Sequence, residues 1–320
     1  MTLVDRYLTN ISAVRRYSRR TQDIYADVLS RFVGYCSASD DDESILKALT
    51  PDSIRNYEVY LLDDLKESPR TVNLHLSVIS GFCRFLQSEG CAISNPVHAV
   101  SRPKVAKRLP VVYRQDSMNE YFSSTECFAS EENADLVTGG DPVSMDLWKR
   151  RRDRLVIRTL YDTGIRRSEL IGLDIQAFDF DRGVVRILGK GNKMREIPVI
   201  SALSEEILLY LRTTATVFGC ERLPSDPLFV TEKGTRLYPV AVQRIVEAEL
   251  KTVGITGRKS PHALRHTLAT ELLDGGADLN SIKEMLGHSS LAATQVYTHT
   301  SVEKLKQSYI NAHPRAKRGG

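Results

Sequence analysis

The chain has 320 residues, of which 42% are hydrophobic, and carries a formal net charge of +4 at pH 7. This length suffices for two domains with packed cores, and no apolar run approaches the 18 residues of a membrane-spanning helix. Asp5 and Arg6 interrupt what would be the apolar region of a secretory signal, so export by that route is not expected. Five cysteines without a CxxC pair favour reduced thiols in a cytoplasm over disulfides or a zinc site.

Charge is unevenly distributed along the chain. Residues 1–105 hold 13 Lys/Arg and 13 Asp/Glu, whereas residues 147–320 hold 28 Lys/Arg against 19 Asp/Glu. Residues 114–146 hold one Arg and eight acidic residues. A basic C-terminal part suits a polyanionic partner, although ordinary solvated surface charge would account for the counts equally well.

Helical patterns fill the N-terminal hundred residues. Apolar residues recur at helical spacing over 18–36, and helices are predicted to begin at Thr50-Pro51 and Ser68-Pro69. The last of these ends at Gly90. No strand pattern intervenes, so the sequence predicts a small all-helical domain over residues 1–100, ending near Asn95-Pro96.

An extended linker is predicted for residues 101–112. Its cations could contact DNA or be merely solvated, and they are Arg102, Lys104, Lys107 and Arg108. A helix over 118–122 opens the next part, and an acidic insertion at about 125–146 is predicted to form a surface loop.

The remainder, residues 113–320, is predicted to be a mixed domain. The basic run 149–152 leads into a helix ending at Gly164, and a second helix covers 167–173. Two runs with period-two alternation, 183–188 and 195–200, flank Gly189-Lys-Gly-Asn-Lys and predict a β-hairpin. Helices return from residue 204, including one over 279–286 that ends at Gly287. The fold class is therefore mainly α with a small antiparallel sheet.

Several side chains suited to phosphate chemistry occur in the C-terminal part. His262 and Arg265 lie three apart on one helix face, with His266 four residues after His262. An ordinary capped helix would explain them equally well, and no spacing typical of a metal site is present. His288 follows a helix-ending glycine, and Tyr297 is one of 13 tyrosines.

Two further cations lie at points where the chain turns. Lys190 occupies the hairpin tip, which a P-loop would not do because that motif opens a helix. Arg166 lies between two helices that are separated at Gly164. Taken singly, each is also explained as a surface cation.

In combination and order, these residues resemble the active site of the tyrosine recombinase (phage-integrase) family, over nearly the whole chain. The resemblance is carried by five runs, Tyr161-Asp-Thr-Gly-Ile-Arg, Gly189-Lys-Gly-Asn-Lys, His262-Ala-Leu-Arg-His-Thr, Leu286-Gly-His-Ser and Tyr297-Thr-His. The C-terminal end is similar to the Xer subgroup, which resolves chromosome dimers before cell division. Glu271 stands where many relatives have His, outside the active set.

The resemblance implies a two-domain C-shaped clamp around DNA. Residues 1–100 would be a SAM-like core-binding domain, 101–112 the linker and 113–320 the catalytic domain. Additional DNA contacts would come from Arg70, Thr71 and Asn73 at a helix start, and from the N-terminal arginines Arg15, Arg16, Arg19 and Arg20.

The resemblance also implies the role of each site residue. Arg166 and Arg265 would clamp the scissile phosphate, and Tyr297 would attack phosphorus to form a 3′-phosphotyrosyl link. His262 would take the phenol proton. The remaining members would protonate the leaving 5′ oxygen, hydrogen-bond the phosphate and support the arginine, and they are Lys190, His288 and Glu169. No metal, ATP or other cofactor is implied.

Implied partners are double-stranded DNA with a specific recombination site and a homotetramer or heterotetramer with a related recombinase. The tail over 302–310 has an apolar face that would dock on a neighbouring subunit or on its own domain. A DNA-translocase activator and a bacterial, nucleoid-associated cytoplasmic location also follow. Alternatives are an integrase or invertase of a mobile element, a type IB topoisomerase-like enzyme and an inactive DNA-binding protein.

Overall fold

The computed structural model describes residues 1–287 except 16, 37–40, 93, 107–110, 130–143, 190–192, 253–254 and 256, and residues 288–320 lie outside the description. The chain divides into two compact units, Met1–Arg108 and Leu109–Gly320. In the described residues, no helix combines the length and apolarity needed to span a membrane.

The N-terminal unit is helical, as predicted. Its α-helices are α1 (Leu3–Ala13), α2 (Arg19–Tyr35), α3 (Asp42–Ala48), α4 (Pro51–Val59) and α5 (Pro69–Ser88). A π-helical turn, Tyr60–Asp64, extends α4, and a 3-10 turn covers Pro96–Ala99. The hydroxyls of Ser18, Thr50 and Ser68 accept hydrogen bonds from the first turns of α2, α4 and α5. The predicted helix starts are therefore confirmed, because these side chains satisfy backbone N–H groups that a helix leaves unpaired.

Helix α5 is the centre of the N-terminal unit. Its buried side chains contribute to both apolar clusters, with Phe82 in one and Ile79 in the other. Buried His75 accepts or donates a 2.9 Å hydrogen bond with the Tyr57 hydroxyl through Nδ1. A helix buried around most of its circumference is typical of a core element in a small bundle.

The C-terminal unit is mixed. Its helices are α6 (Gln115–Ser124), α7 (Met145–Thr163), α8 (Arg167–Gly172), α9 (Ser201–Phe218), α10 (Pro239–Glu249), α11 (Pro261–Asp274) and α12 (Leu279–Leu286). Strands β1 (Phe178–Asp179), β2 (Val184–Leu188) and β3 (Met194–Pro198) form an antiparallel sheet in the order β1-β2-β3. The predicted hairpin is confirmed, with Val185 opposite Ile197 and Ile187 opposite Arg195. The sequence did not predict the two-residue strand β1.

Helix α7 runs through the core of this unit and differs from its prediction. The basic run 149–152 lies inside the helix rather than before it. Arg158 is buried and donates to Asp162 at 3.0 Å and to Glu206 at 2.6 Å. Arg154 also donates to Glu206, at 3.1 Å. Pairing of this kind compensates the cost of removing the charges of Arg154 and Arg158 from water.

Gly164 ends α7 in the left-handed conformation, at φ 62°. A Cβ atom at this position would lie 2.7 Å from Leu286 Cδ2 and 2.9 Å from Leu268 Cδ2. Glycine is therefore required both for the backbone turn and for the close approach of α11 and α12.

Glu271 links α11 to α7 through a hydrogen bond. The Tyr161 hydroxyl donates to its carboxyl oxygens at 2.6 and 2.8 Å. Burial, against the opposing effect of this hydrogen bond, raises the pKa of Glu271 to about 7. The folded protein therefore holds a proton that the unfolded chain releases at lower pH.

We expect Gly164→Ala to lower the free energy of unfolding of the C-terminal unit by about 2–4 kcal/mol, because strain at positive φ adds to overpacking. Urea denaturation followed by the fluorescence of Trp148 measures this, since Trp148 is the single tryptophan and is fully buried. Gly172→Ala is the matched control, because a Cβ there meets no atom within 4 Å. Equal losses in the two variants would contradict the expectation.

A second expectation concerns pH and Glu271. The stabilisation from a raised carboxyl pKa is complete below the unfolded value and is lost as pH rises through the folded value of about 7. The free energy of unfolding should thus fall between pH 5 and 8, by at most about 3 kcal/mol.

Glu271→Gln keeps an acceptor for Tyr161 but has no proton to release, so this part of the pH dependence should disappear. Urea titrations of Trp148 fluorescence across the range test it. Glu221→Gln, which alters an exposed carboxylate of the same unit, should keep the wild-type slope. A Glu271→Gln variant with the wild-type slope would refute the assignment.

Candidate active site

Three arginines meet the C-terminal end of α12. Arg195 Nε donates to the Met285 carbonyl at 2.9 Å, Arg265 Nη2 to the Leu286 carbonyl at 2.5 Å, and Arg166 Nη2 to the Gly287 carbonyl at 2.7 Å. A helix leaves its last carbonyls without intrahelical partners, and its C-terminal end carries partial negative charge. Each of three successive carbonyls thus receives one guanidinium group.

Glu169 lies between two of these arginines. Its Oε1 accepts from Arg166 Nη1 at 2.8 Å and from Arg195 Nη1 at 3.0 Å. Its Oε2 accepts from the Arg166 backbone N–H at 2.7 Å and from Arg195 Nη2 at 2.8 Å. Burial by itself would raise the pKa of Glu169, but the hydrogen bonds from Arg195 and Arg166 outweigh it and lower the pKa. The carboxylate is therefore ionised at neutral pH and orients Arg166.

Arg265 is buried, whereas Arg166 is accessible. Arg265 Nη1 donates to the Gly164 carbonyl at 2.7 Å, which ties α11 to the end of α7. Burial, followed by repulsion from Arg166, lowers the pKa of Arg265 to about 10, so the guanidinium remains charged at neutral pH. The Arg166 side chain is 38% exposed. Three cations and one carboxylate leave a positive surplus, which favours binding of an anion.

His262 and His266 form a pair on the first turns of α11. Their Nε2 atoms are 3.0 Å apart and their rings meet edge to face at a centroid distance of 4.4 Å. A neutral imidazole has one donor and one acceptor nitrogen, so one Nε2 donates and the other accepts. Ser260 caps this helix and Pro261 occupies its first turn. The helix therefore begins just before His262, so His262 and Arg265 both lie on its first turns.

The structure brings together Arg166, Glu169 and Arg265, and places His262 on the same helix as Arg265. The predicted residues Lys190, His288 and Tyr297 lie outside the described residues, as does the tail over 302–310. Their chain neighbours Gly189 and Gly287 are described. A Cβ atom at either glycine would lie 3.2 Å from Arg195 Nη1.

Arg195 is the residue that the sequence interpretation missed. It was assigned only to a strand of the hairpin. The period-two pattern of β3 places it on the same buried side as Ile197. A charged residue at a buried strand position requires a partner, and this signal would have marked Arg195.

Among the DNA-contact candidates of the N-terminal unit, some side chains are exposed to solvent and others form hydrogen bonds within the unit. Arg70 and Lys104 are exposed. Asn73 Nδ2 donates to the Pro103 carbonyl at 2.9 Å, and Arg102 Nη1 donates to Ser77 Oγ at 2.9 Å. These two side chains fasten the segment 102–103 to α5. Their contact with DNA stays a prediction.

The remaining DNA-contact candidates include one hydrogen-bonded side chain and three exposed arginines. Thr71 contributes to the start of α5 through Ser68, with the two hydroxyl oxygens 2.9 Å apart. Arg15, Arg19 and Arg20 are exposed, whereas Arg16, Lys107 and Arg108 lie outside the described residues. DNA contact by this group also stays a prediction.

The described part of the chain contains neither a candidate metal site nor a disulfide. Within it, no group of three or more His, Cys, Asp or Glu side chains is arranged to hold a metal ion. All five cysteines are free thiols.

Comparison of the sequence with protein families gives two matches. The phage integrase family model matches residues 145–304, and the model of the phage integrase N-terminal SAM-like domain matches residues 4–90. The first range contains most of the C-terminal helices and the sheet, and the second contains α2 to α5 and all of α1 except its first residue.

Relatives cover nearly the whole chain. A tyrosine recombinase XerC of Chlorobaculum parvum is 35% identical, covering 97% of this chain and 94% of the relative. A tyrosine recombinase XerC of Pelobacter propionicus is 33% identical, covering 99% and 97%. One from a Shewanella species is 36% identical over 78% of this chain and 76% of its own length.

Solved structures show the same fold at low identity. The XerH site-specific recombinase, bound to its palindromic difH substrate, superposes with a TM-score of 0.63 at 21% identity, covering 96% of this chain and 84% of its own. The Tn1549 transposon integrase in complex with circular intermediate DNA gives 0.63 at 18% identity, covering 95% and 98%. The family matches and the full-length relatives agree, and the chain belongs to the phage integrase family of tyrosine recombinases.

Proposed function

We propose that this chain is a site-specific recombinase that cuts and rejoins DNA strands through a 3′-phosphotyrosyl intermediate at Tyr297. The observation that carries the proposal is the convergence of Arg166 and Arg265 on the end of α12, with Glu169 orienting Arg166. A cluster of charged, rigidly held guanidinium groups suits a phosphodiester whose negative charge increases in the transition state.

The two arginines form the phosphate clamp in this proposal. Each has N–H groups beyond those given to carbonyls, since a guanidinium offers five donors. Arg265 presents them from a buried position and Arg166 from a partly exposed one. Because the protein contacts hold both groups in place beforehand, little reorganisation is needed as charge develops on the non-bridging oxygens.

The remaining residues move protons and form the covalent link. The Tyr297 phenol oxygen attacks phosphorus, the bond to the 5′ oxygen breaks, and His262 accepts the phenol proton while Lys190 supplies one to the leaving oxygen. His288 donates a hydrogen bond to the phosphate. The phosphotyrosyl link retains the energy of the broken bond, so a 5′ hydroxyl from a partner duplex reverses the attack without ATP or a metal.

The substrate in this proposal is double-stranded DNA with a specific recombination site. Relatives named XerC and the solved complex of XerH with difH support this choice. The biological role is resolution of chromosome or plasmid dimers in the bacterial cytoplasm, at the nucleoid, under a DNA-translocase activator.

The proposed assembly is a tetramer that exchanges strands between two duplexes. It consists of identical subunits or of this chain with a related recombinase, and the tail over 302–310 docks on a neighbour. Residues 1–100 act as the core-binding domain, 101–112 as the linker and 113–320 as the catalytic domain.

The first test is a covalent adduct. The protein is incubated with a duplex selected for binding from a randomised library and nicked so that the cleaved end diffuses away. Denaturing electrophoresis should show a protein–DNA adduct that persists with EDTA present. Tyr297→Phe should abolish the adduct, because a phenyl ring has no oxygen to attack phosphorus.

Tyr238→Phe is the matched control, since Tyr238 is an exposed tyrosine of the same unit, and it should form the adduct at the wild-type rate. An adduct in Tyr297→Phe would assign the nucleophile to another residue. Loss of cleavage on chelation would contradict the metal-independent mechanism.

A second test separates recombination from topoisomerase activity. A plasmid carrying two direct copies of the selected site should be resolved into two circles, because strands are exchanged between sites. Gel electrophoresis of the products measures this, with a single-site plasmid as control. Relaxation of supercoils without resolution would favour a type IB topoisomerase-like enzyme.

A further inference from the structure

Arg195 is a buried arginine that donates hydrogen bonds to a carboxylate and to a backbone carbonyl. Its side chain is 6% exposed and its fork meets both oxygens of Glu169, at 3.0 and 2.8 Å. Its Nε donates to the Met285 carbonyl. An arginine held in this way is directed into the protein, so its effect on a bound phosphate must pass through the groups that it holds.

Glu169 transmits the position of Arg195 to Arg166. Each carboxyl oxygen accepts one hydrogen bond from Arg195 and one from Arg166, the latter from the guanidinium at Oε1 and from the backbone at Oε2. A bidentate arginine fixes the plane of a carboxylate as well as its distance. That plane in turn fixes the direction of the Arg166 guanidinium.

The end of α12 closes this network into a ring. Arg195 holds the Met285 carbonyl, and Arg166 holds the Gly287 carbonyl two residues later. Gly287 precedes His288 in the chain and Gly189 precedes Lys190. Both glycines lie so close to the Arg195 guanidinium that an added Cβ would be 3.2 Å from Nη1.

We propose that Arg195 is a positioning residue for DNA strand cleavage, which holds Glu169 and the end of α12 so that Arg166 is presented to the scissile phosphate. The inference rests on the proposed function. It predicts that loss of Arg195 slows the chemical step more than it weakens DNA binding, because the DNA-binding surface is left in place while the clamp loses its alignment.

A buried arginine can also serve stability alone, and the chain offers a matched case. Arg158 is similarly buried and pairs with Asp162 and Glu206, neither of which is a predicted site residue. Arg158→Gln should lower the resistance of the C-terminal unit to urea. It should leave the cleavage rate of the folded protein unchanged.

The experiment compares wild type, Arg195→Gln, Arg195→Lys, Glu169→Gln, the double variant Arg195→Gln/Glu169→Gln and Arg158→Gln. Folding is checked by Trp148 fluorescence, and DNA affinity and the rate constant of adduct formation at saturating DNA are measured separately.

We expect Arg195→Gln to reduce the rate constant about 10- to 100-fold, as misplacement of a group by about 1 Å does. Its dissociation constant for DNA should change less than about threefold, below the tenfold step that 1.4 kcal/mol represents.

Two further outcomes identify the route through Glu169. The double variant should be no slower than the slower single variant, since coupled residues are not additive. Arg195→Lys should recover part of the rate, because an ammonium keeps the charge but lacks the fork that meets both carboxyl oxygens.

Results that overturn the proposal are equally distinct. A folded Arg195→Gln protein that cleaves at the wild-type rate, or additive effects of Arg195→Gln and Glu169→Gln, would refute it. If Arg195→Gln does not fold, Arg195→Lys decides the question, and a rate equal to that of wild type refutes the proposal. Absence of an adduct in wild type would instead refute the proposed function, and the positioning role with it.

Discussion

Three guanidinium groups lie against the last three described carbonyls of one helix end, and the geometry of the C-terminal unit depends on that contact. Burial lowers the pKa of Arg265 most, and repulsion from Arg166 and Arg195 lowers it further. Two features offset the repulsion, namely the negative end of α12 and the ionised Glu169 between Arg166 and Arg195. The remaining positive charge is available to an anion.

The fold supplies this contact by bringing four distant segments together. Gly164 allows α7 to end where Leu286 and Leu268 approach most closely, and its carbonyl receives Arg265. Helix α8 begins directly afterwards and carries Glu169, while β3 supplies Arg195. A shift in any of these elements would alter the hydrogen bonds of the others, so packing and electrostatics are coupled at this point.

Buried arginines serve two different purposes in the same unit. Arg154 and Arg158 of α7 pair with Glu206 in the core of the C-terminal unit, where the pairing compensates for desolvation. The cluster at α12 contains more cations than carboxylates, and this imbalance is what distinguishes a proposed binding site from a structural ion pair. An anionic substrate is proposed to compensate the excess of positive charge in the cluster at α12.

Much of the architecture follows from local sequence. Ser18, Thr50 and Ser68 cap helices at the predicted positions, period-two alternation marked the hairpin, and Gly287 ended α12 as its position indicated. These features depend on the backbone of a few neighbouring residues, and their chemistry can be read along the chain. The order of Arg166, His262 and Arg265 likewise indicated the family.

The tertiary structure alone decided which side chains share partners. Arg195 meets Glu169 across 26 positions and Met285 across 90, and Arg166 meets Gly287 across 121. The basic run 149–152 was expected before α7, but the structure places it within that helix, with two of its arginines buried. Whether a charge is solvated, paired in a core or directed at a substrate depends on the surroundings that folding creates, and neither spacing nor composition contains that information.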